Sequence, residues 1–140
     1  MADFVFRGTR LDGRLKELAI MAVAYLARSD YAWSHHLVIC KNYGVSEDDV
    51  RQLMNHLDGR PHTLDERARL TVDAAREMTE NIAMSDATFA GLRGFLDNEA
   101  LVDLVVIIGH YNGMGRVLRT LAIDIEADYV AGLDRFPLPA

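Results

Sequence analysis

LDGRLKELAIMAVAYLARSDYAWSHH, residues 11–36, is the stretch on which the fold turns. Leu11, Leu15, Leu18, Ala22 and Leu26 recur at helical spacing and predict a first helix from about Asp12 to Arg28. Ser29 or Asp30 can cap a second helix, about Tyr31 to Asn42, which Gly44 would stop. Glu17 and His36, nineteen residues apart, then lie on consecutive helices. Imidazole titrates nearest neutral pH, and a carboxylate on a neighbouring helix can fix its tautomer, so the pair has the makings of a proton relay. A buried histidine satisfied by a backbone carbonyl is the plainer reading of the same residue.

Outward from this hairpin the helical pattern continues. Ser46 with Glu47, Asp48 and Asp49 opens a third helix ending near Leu57, and Asp58-Gly59-Arg60-Pro61 is a turn. Thr63-Leu64-Asp65-Glu66 reads as a capping box for a fourth helix to about Thr79. Ser85-Asp86 caps a short fifth helix to about Leu96. Asp97-Asn98-Glu99 starts a last long helix that carries Leu101, Leu104, Val105, Ile108, Leu118 and Leu121 and frays after Asp124. The expectation is an all-α domain of about six helices over residues 11–126, with a flexible lead-in at 1–10 and a tail at 127–140.

Half of the 140 residues are hydrophobic and 26% are charged, the balance of an ordinary globular domain. The net charge of −6, with Lys and Arg scattered, argues against nucleic acid as a partner. The longest unbroken apolar run, Leu18–Ala27, is too short to span a bilayer, and residues 1–10 lack the pattern of a secretory signal. A single cysteine, Cys40, allows no internal disulfide and suits a reducing, cytoplasmic setting.

Three segments, Leu11–Leu18, Tyr31–His36 and Ile108–Asn112, resemble the Leu-Asp-x-Arg-Leu-x-Glu-Leu, Tyr-Glu-Trp-x-x-His and Ile-Gly-x-Tyr-Asn patterns of the carboxymuconolactone decarboxylase and alkylhydroperoxidase D superfamily. The resemblance implies an alkylhydroperoxidase D-like helical fold assembled as a homo-oligomer, a trimer or hexamer. It also implies a cofactor-free lyase acting on a small carboxylated lactone or related product of aromatic catabolism. His36 and Glu17 match the relay positions; Tyr111, Asn112, Arg116, His110 and Trp33 are the expected substrate-binding residues. Arg116 can clamp a carboxylate with its planar fork or serve in a salt bridge. His110 belongs to the pocket or to an interface, and His35, about 100° round the helix from His36, to an interface or solvent.

Two departures bear on chemistry. The peroxidase branch carries a Cys-x-x-Cys pair where this chain has Ser29 and Ala32, so disulfide exchange through that pair is absent. Cysteine-free relatives place a glutamate at the position of Ala32, which weakens a wholesale transfer of the decarboxylase mechanism. Two other functions follow from these departures: a peroxiredoxin-like enzyme using Cys40 as its thiol, and a non-catalytic ligand-binding oligomer. Cys40 as a small buried hydrophobe is the plainer alternative. Of His35, His36, Cys40 and His110 only His36 and Cys40 have helical ligand spacing, no second pair joins them, and no metal is expected. Gly109, Gly113 and Gly115 inside the last helix each cost about 1 kcal/mol relative to Ala, which close helix packing or an adjacent ligand must offset.

Overall fold

The structure, a computed structural model, describes residues 3–140. Seven α-helices follow in order: α1 (Gly13–Leu26), α2 (Asp30–Ile39), α3 (Glu47–Leu57), α4 (Glu66–Glu80), α5 (Asp86–Arg93), α6 (Asn98–Thr120) and α7 (Ala127–Arg135). A π-helical turn, Phe4–Gly8, precedes them and a 3₁₀ turn, Cys40–Tyr43, follows α2; no strand occurs among the described residues.

Helix α1 is the axis of the domain. Every residue from Leu15 to Tyr25 is buried, because α4, α6, α2 and α3 all pack around it. A helix enclosed on all sides must be apolar all round. That is the meaning of the run that starts at Leu18, and it forces Lys16 and Glu17 into the interior with it. Asp12 starts the helix by accepting from the Leu15 amide. At the other end Arg28 takes a left-handed conformation (φ 51°) and the Ser29 amide returns to the Ala24 carbonyl, a tight ending that turns the chain directly into α2.

The expected caps at Ser46 and Asp97 are in place, Ser46 exchanging hydrogen bonds with Asp49 as a capping box. The box expected at Thr63 is not formed; Asp65 caps α4 by accepting from the Ala68 amide. Ser85 caps α5, which ends at Arg93, short of Leu96. Gly44 (φ 81°) does stop the second helical segment, after the 3₁₀ turn.

Both ends of the chain depart from expectation. In the stretch anticipated as a flexible lead-in, Val5 is buried in the core and its carbonyl accepts from Lys16 Nζ. In the stretch anticipated as a tail, α7 lies against α2 and Phe136 is buried behind it. Helix α6 ends at Thr120, before the expected fray at Asp124.

Among the described residues one helix, α6, is long and apolar enough to cross a membrane by length and composition. Its inner face, through Leu104, Ile107 and Ile108, is core. Its outer face carries exposed Val102, Val106 and Val117.

Candidate active site

The site grows out of α1. Glu17 is fully enclosed, and its Oε2 lies 2.7 Å from His36 Nδ1 on α2. A carboxylate only accepts, so the Nδ1–H donates to it and Nε2 stays outside that bond. His36 is itself 5% exposed. The ring of Tyr111, from α6, stands edge-on to the His36 ring with centroids 5.2 Å apart. Burial, and then the charge of Glu17, push the Tyr111 hydroxyl well above the ordinary phenol range. Three helices thus bring together Glu17, His36 and Tyr111.

The sequence reading missed the fourth member. Lys16 is 2% exposed, with its Nζ 3.6 Å from Glu17 Oε1. The same ammonium lies 3.8 Å above the Tyr43 ring. The signal was available: between Leu15 and Tyr25 the only charged residues are Lys16 and Glu17, so α1 has no polar face to point them towards.

The remaining predicted residues divide. Asn112 donates through Nδ2 to Thr79 Oγ1 (3.0 Å) and to the Ile108 carbonyl (3.1 Å), tying α6 to α4. Arg116 donates to the Asn112 carbonyl at 2.6 Å and to its side-chain oxygen at 3.2 Å. Arg116 and Arg119 line a groove of about 570 Å³ between the end of α1, α4 and α6, with Thr79, Glu80 and Gly115 in its walls. His36 is not among the residues lining it. Gly115 is the one glycine of the three that close packing explains, since a Cβ there would meet Ala27 and Ser29. His110 is half-buried with its ring edge-on to Tyr111, and burial holds its imidazole below the ordinary histidine range.

Trp33, expected to touch substrate, is fully buried; its indole N–H donates to the Phe136 carbonyl at 2.7 Å. Cys40 lines a cleft of about 300 Å³ with Leu37, Val45, Val50 and Phe136. Burial first, and then the charge of Glu17, push its thiol up to about 11. His35 is held inside the chain rather than in solvent: its ring stacks between Tyr31 (4.1 Å) and Tyr129 (3.8 Å), with Glu126 against Nε2. Among the described residues no three His, Cys, Asp or Glu side chains converge as metal ligands.

The sequence profile of the carboxymuconolactone decarboxylase family matches residues 1–77, which include Glu17 and His36. The chain belongs to the carboxymuconolactone decarboxylase family. The match spans more than half of the chain and takes in the segments of α1 and α2 that carry Glu17 and His36. The Tyr111 and Asn112 segment lies beyond it, so the role of α6 in this family member rests on geometry alone. No curated protein matches the chain.

Proposed function

We propose that the protein is a cofactor-free carboxy-lyase acting on a small carboxylated lactone or a related unsaturated ring acid. The observation that carries the reading is the buried 2.7 Å contact between His36 Nδ1 and Glu17 Oε2, with Tyr111 against the same ring. In the proposed reaction the carbon–carboxylate bond breaks and carbon dioxide leaves. The bonding pair passes onto the ring carbonyl as an enolate, and the imidazolium Nε2–H then protonates carbon. Solvent returns that proton to His36. Tyr111 is the donor to the enolate oxygen, since both N–H groups of the Asn112 amide are engaged. Arg116, five residues or about 7.5 Å of helix axis beyond Tyr111, holds a substrate carboxylate from the neighbouring groove.

The alternative thiol chemistry has less support. A cysteine raised to about 11 holds almost no thiolate at neutral pH, and the cleft that Cys40 lines includes none of Glu17, His36 and Tyr111.

Self-association fits the outer face of α6. Among the described residues a Cβ added at Gly109 or Gly113 would meet nothing within 4 Å, so no packing there offsets their cost. Val102, Val106, Gly109, Gly113 and Val117 form one exposed stripe. Antiparallel pairing of two copies about an axis between Gly109 and His110 seats each Val106 over the partner's Gly113, a self-complementary fit that points to a second copy as the occupant.

The deciding experiment measures carbon dioxide release from carboxymuconolactone and a panel of carboxylated lactones and unsaturated ring acids, with wild type beside His36→Ala. Release that vanishes in the variant supports the lyase. No release from any compound, or release unaffected by the variant, refutes it.

A further inference from the structure

We infer that Lys16 is a positioning residue for the relay: its ammonium keeps Glu17 ionised and thereby sets how tightly His36 holds its proton. The inference deepens the lyase reading and rests on it for its consequence in catalysis.

Three side chains able to carry charge near neutral pH meet here, and the other ionisable groups that feel the Glu17 carboxylate, Tyr111 and Cys40, are both pushed up by burial and stay uncharged. Lys16 is 2% exposed, Glu17 0% and His36 5%. Enclosed charge is tolerated only when balanced, so the net charge of the group restricts its protonation states. With Lys16 charged and Glu17 ionised, the balanced state has a neutral imidazole. Without Lys16, balance requires one more proton on the Glu17–His36 couple, shared as an ion pair or as carboxylic acid and neutral ring. Such a couple would grip the proton it has to deliver. A third charge that repels the proton makes the imidazolium a competent acid, and a substrate carboxylate entering the site supplies the negative charge that admits the proton.

The surroundings hold the ammonium in position for this. Glu17 Oε1, the oxygen facing Lys16 Nζ at 3.6 Å, has no hydrogen-bond partner among the described residues, and the cation beside it stabilises its charge. Nζ donates to the Val5 carbonyl at 3.1 Å and lies 3.8 Å over the Tyr43 ring, so it is approached from the N-terminal turn and the 3₁₀ turn as well as from α1. Tyr43 can occupy that place because residue 13 is glycine: a Cβ there would stand 2.9 Å from Tyr43 Cδ1. Gly13, Tyr43 and Val5 together seat one ammonium beside one carboxylate oxygen.

The test is an NMR titration of the His36 ring in wild type, Lys16→Met and Lys16→Arg, with the pH profile of carbon dioxide release measured alongside. In Lys16→Met the ring should take up its proton about one pH unit or more higher, a tenfold or greater change in proton affinity, while Lys16→Arg stays near wild type. The acid-dependent limb of the rate profile should move with it. A folded Lys16→Met whose His36 titration superimposes on wild type overturns the inference. Should Lys16→Met not fold, the Lys16 side chain is titrated in Glu17→Gln, where it should lose its proton at lower pH than in wild type; an unchanged titration overturns the inference equally. Because both titrations need no substrate, absence of turnover would count against the lyase and leave the Lys16 result standing.

Discussion

The indole N–H of Trp33 on α2 donates to the carbonyl of Phe136, 103 residues later, at 2.7 Å and wholly out of solvent. That bond, together with the stacking of His35 between Tyr31 and Tyr129, fastens α7 to the helix that carries His36. Trp33→Phe keeps most of the ring volume and strands a buried carbonyl, which should cost about 1–3 kcal/mol. A lower Tm and faster proteolysis within residues 127–140 would report it; an unchanged Tm would show that the bond contributes nothing net.

His36→Ala and Glu17→Gln should each lower the rate of carbon dioxide release by about 10²–10⁴-fold, the usual range for loss of a general acid–base. In Glu17→Gln the amide can still accept from Nδ1–H, while the buried Lys16 ammonium loses its counter-charge, so the variant should fold with a lower Tm. Rates within twofold of wild type for both variants would remove the relay from the mechanism.

Cys40→Ala should leave turnover unchanged, and the wild-type thiol should react slowly with a disulfide reagent at neutral pH, since its value near 11 and its burial both oppose attack. Fast labelling at neutral pH together with loss of activity in the variant would restore the thiol hypothesis.

Gly113→Leu should weaken self-association without loss of folded monomer, because the position is open within the chain. Sedimentation velocity on wild type and variant decides: a concentration-dependent assembly in wild type that is lost in Gly113→Leu is the expected pattern. A wild-type monomer at all concentrations would dismiss the α6 surface.

Arg14 joins three elements, with NH2 at 2.6 Å from Asp49 and NH1 at 2.8 Å from Asp65. Burial raises both carboxyls, but hydrogen bonds from Arg14 and from the helix caps outweigh it and hold both below the ordinary range. A carboxylate with a depressed folded value contributes stability above its unfolded value, near pH 4, and loses it as pH falls through the folded value. Arg14→Met should therefore lower Tm at neutral pH and flatten the fall in Tm below about pH 4. A parallel fall in wild type and variant would show that these pairs do not govern acid stability.

Much of this architecture was legible in the residues. The caps at Ser46, Ser85 and Asp97 could be read because side-chain capping is local chemistry. The Glu17–His36 pairing could be read because both residues lie within one helical hairpin. What could not be read depends on elements distant in the chain. Lys16 looks solvated until α1 is known to be enclosed by four other helices. Residues 127–140 look like a tail because Gly132 and the prolines at 137 and 139 disfavour long helix, yet Gly132 packs on Leu37 where a Cβ would come within 3.1 Å. The groove holding Arg116 is made from α1, α4 and α6, and no local pattern announces it.

Helix α1 is at once the centre of the hydrophobic core and the source of the buried Lys16–Glu17 ion pair. A substitution there disturbs the packing of four neighbouring helices and the balance of an enclosed ion pair together. Novelty has to enter elsewhere. Change confined to the outer residues of α6 and the rim of the groove leaves that interior pair untouched.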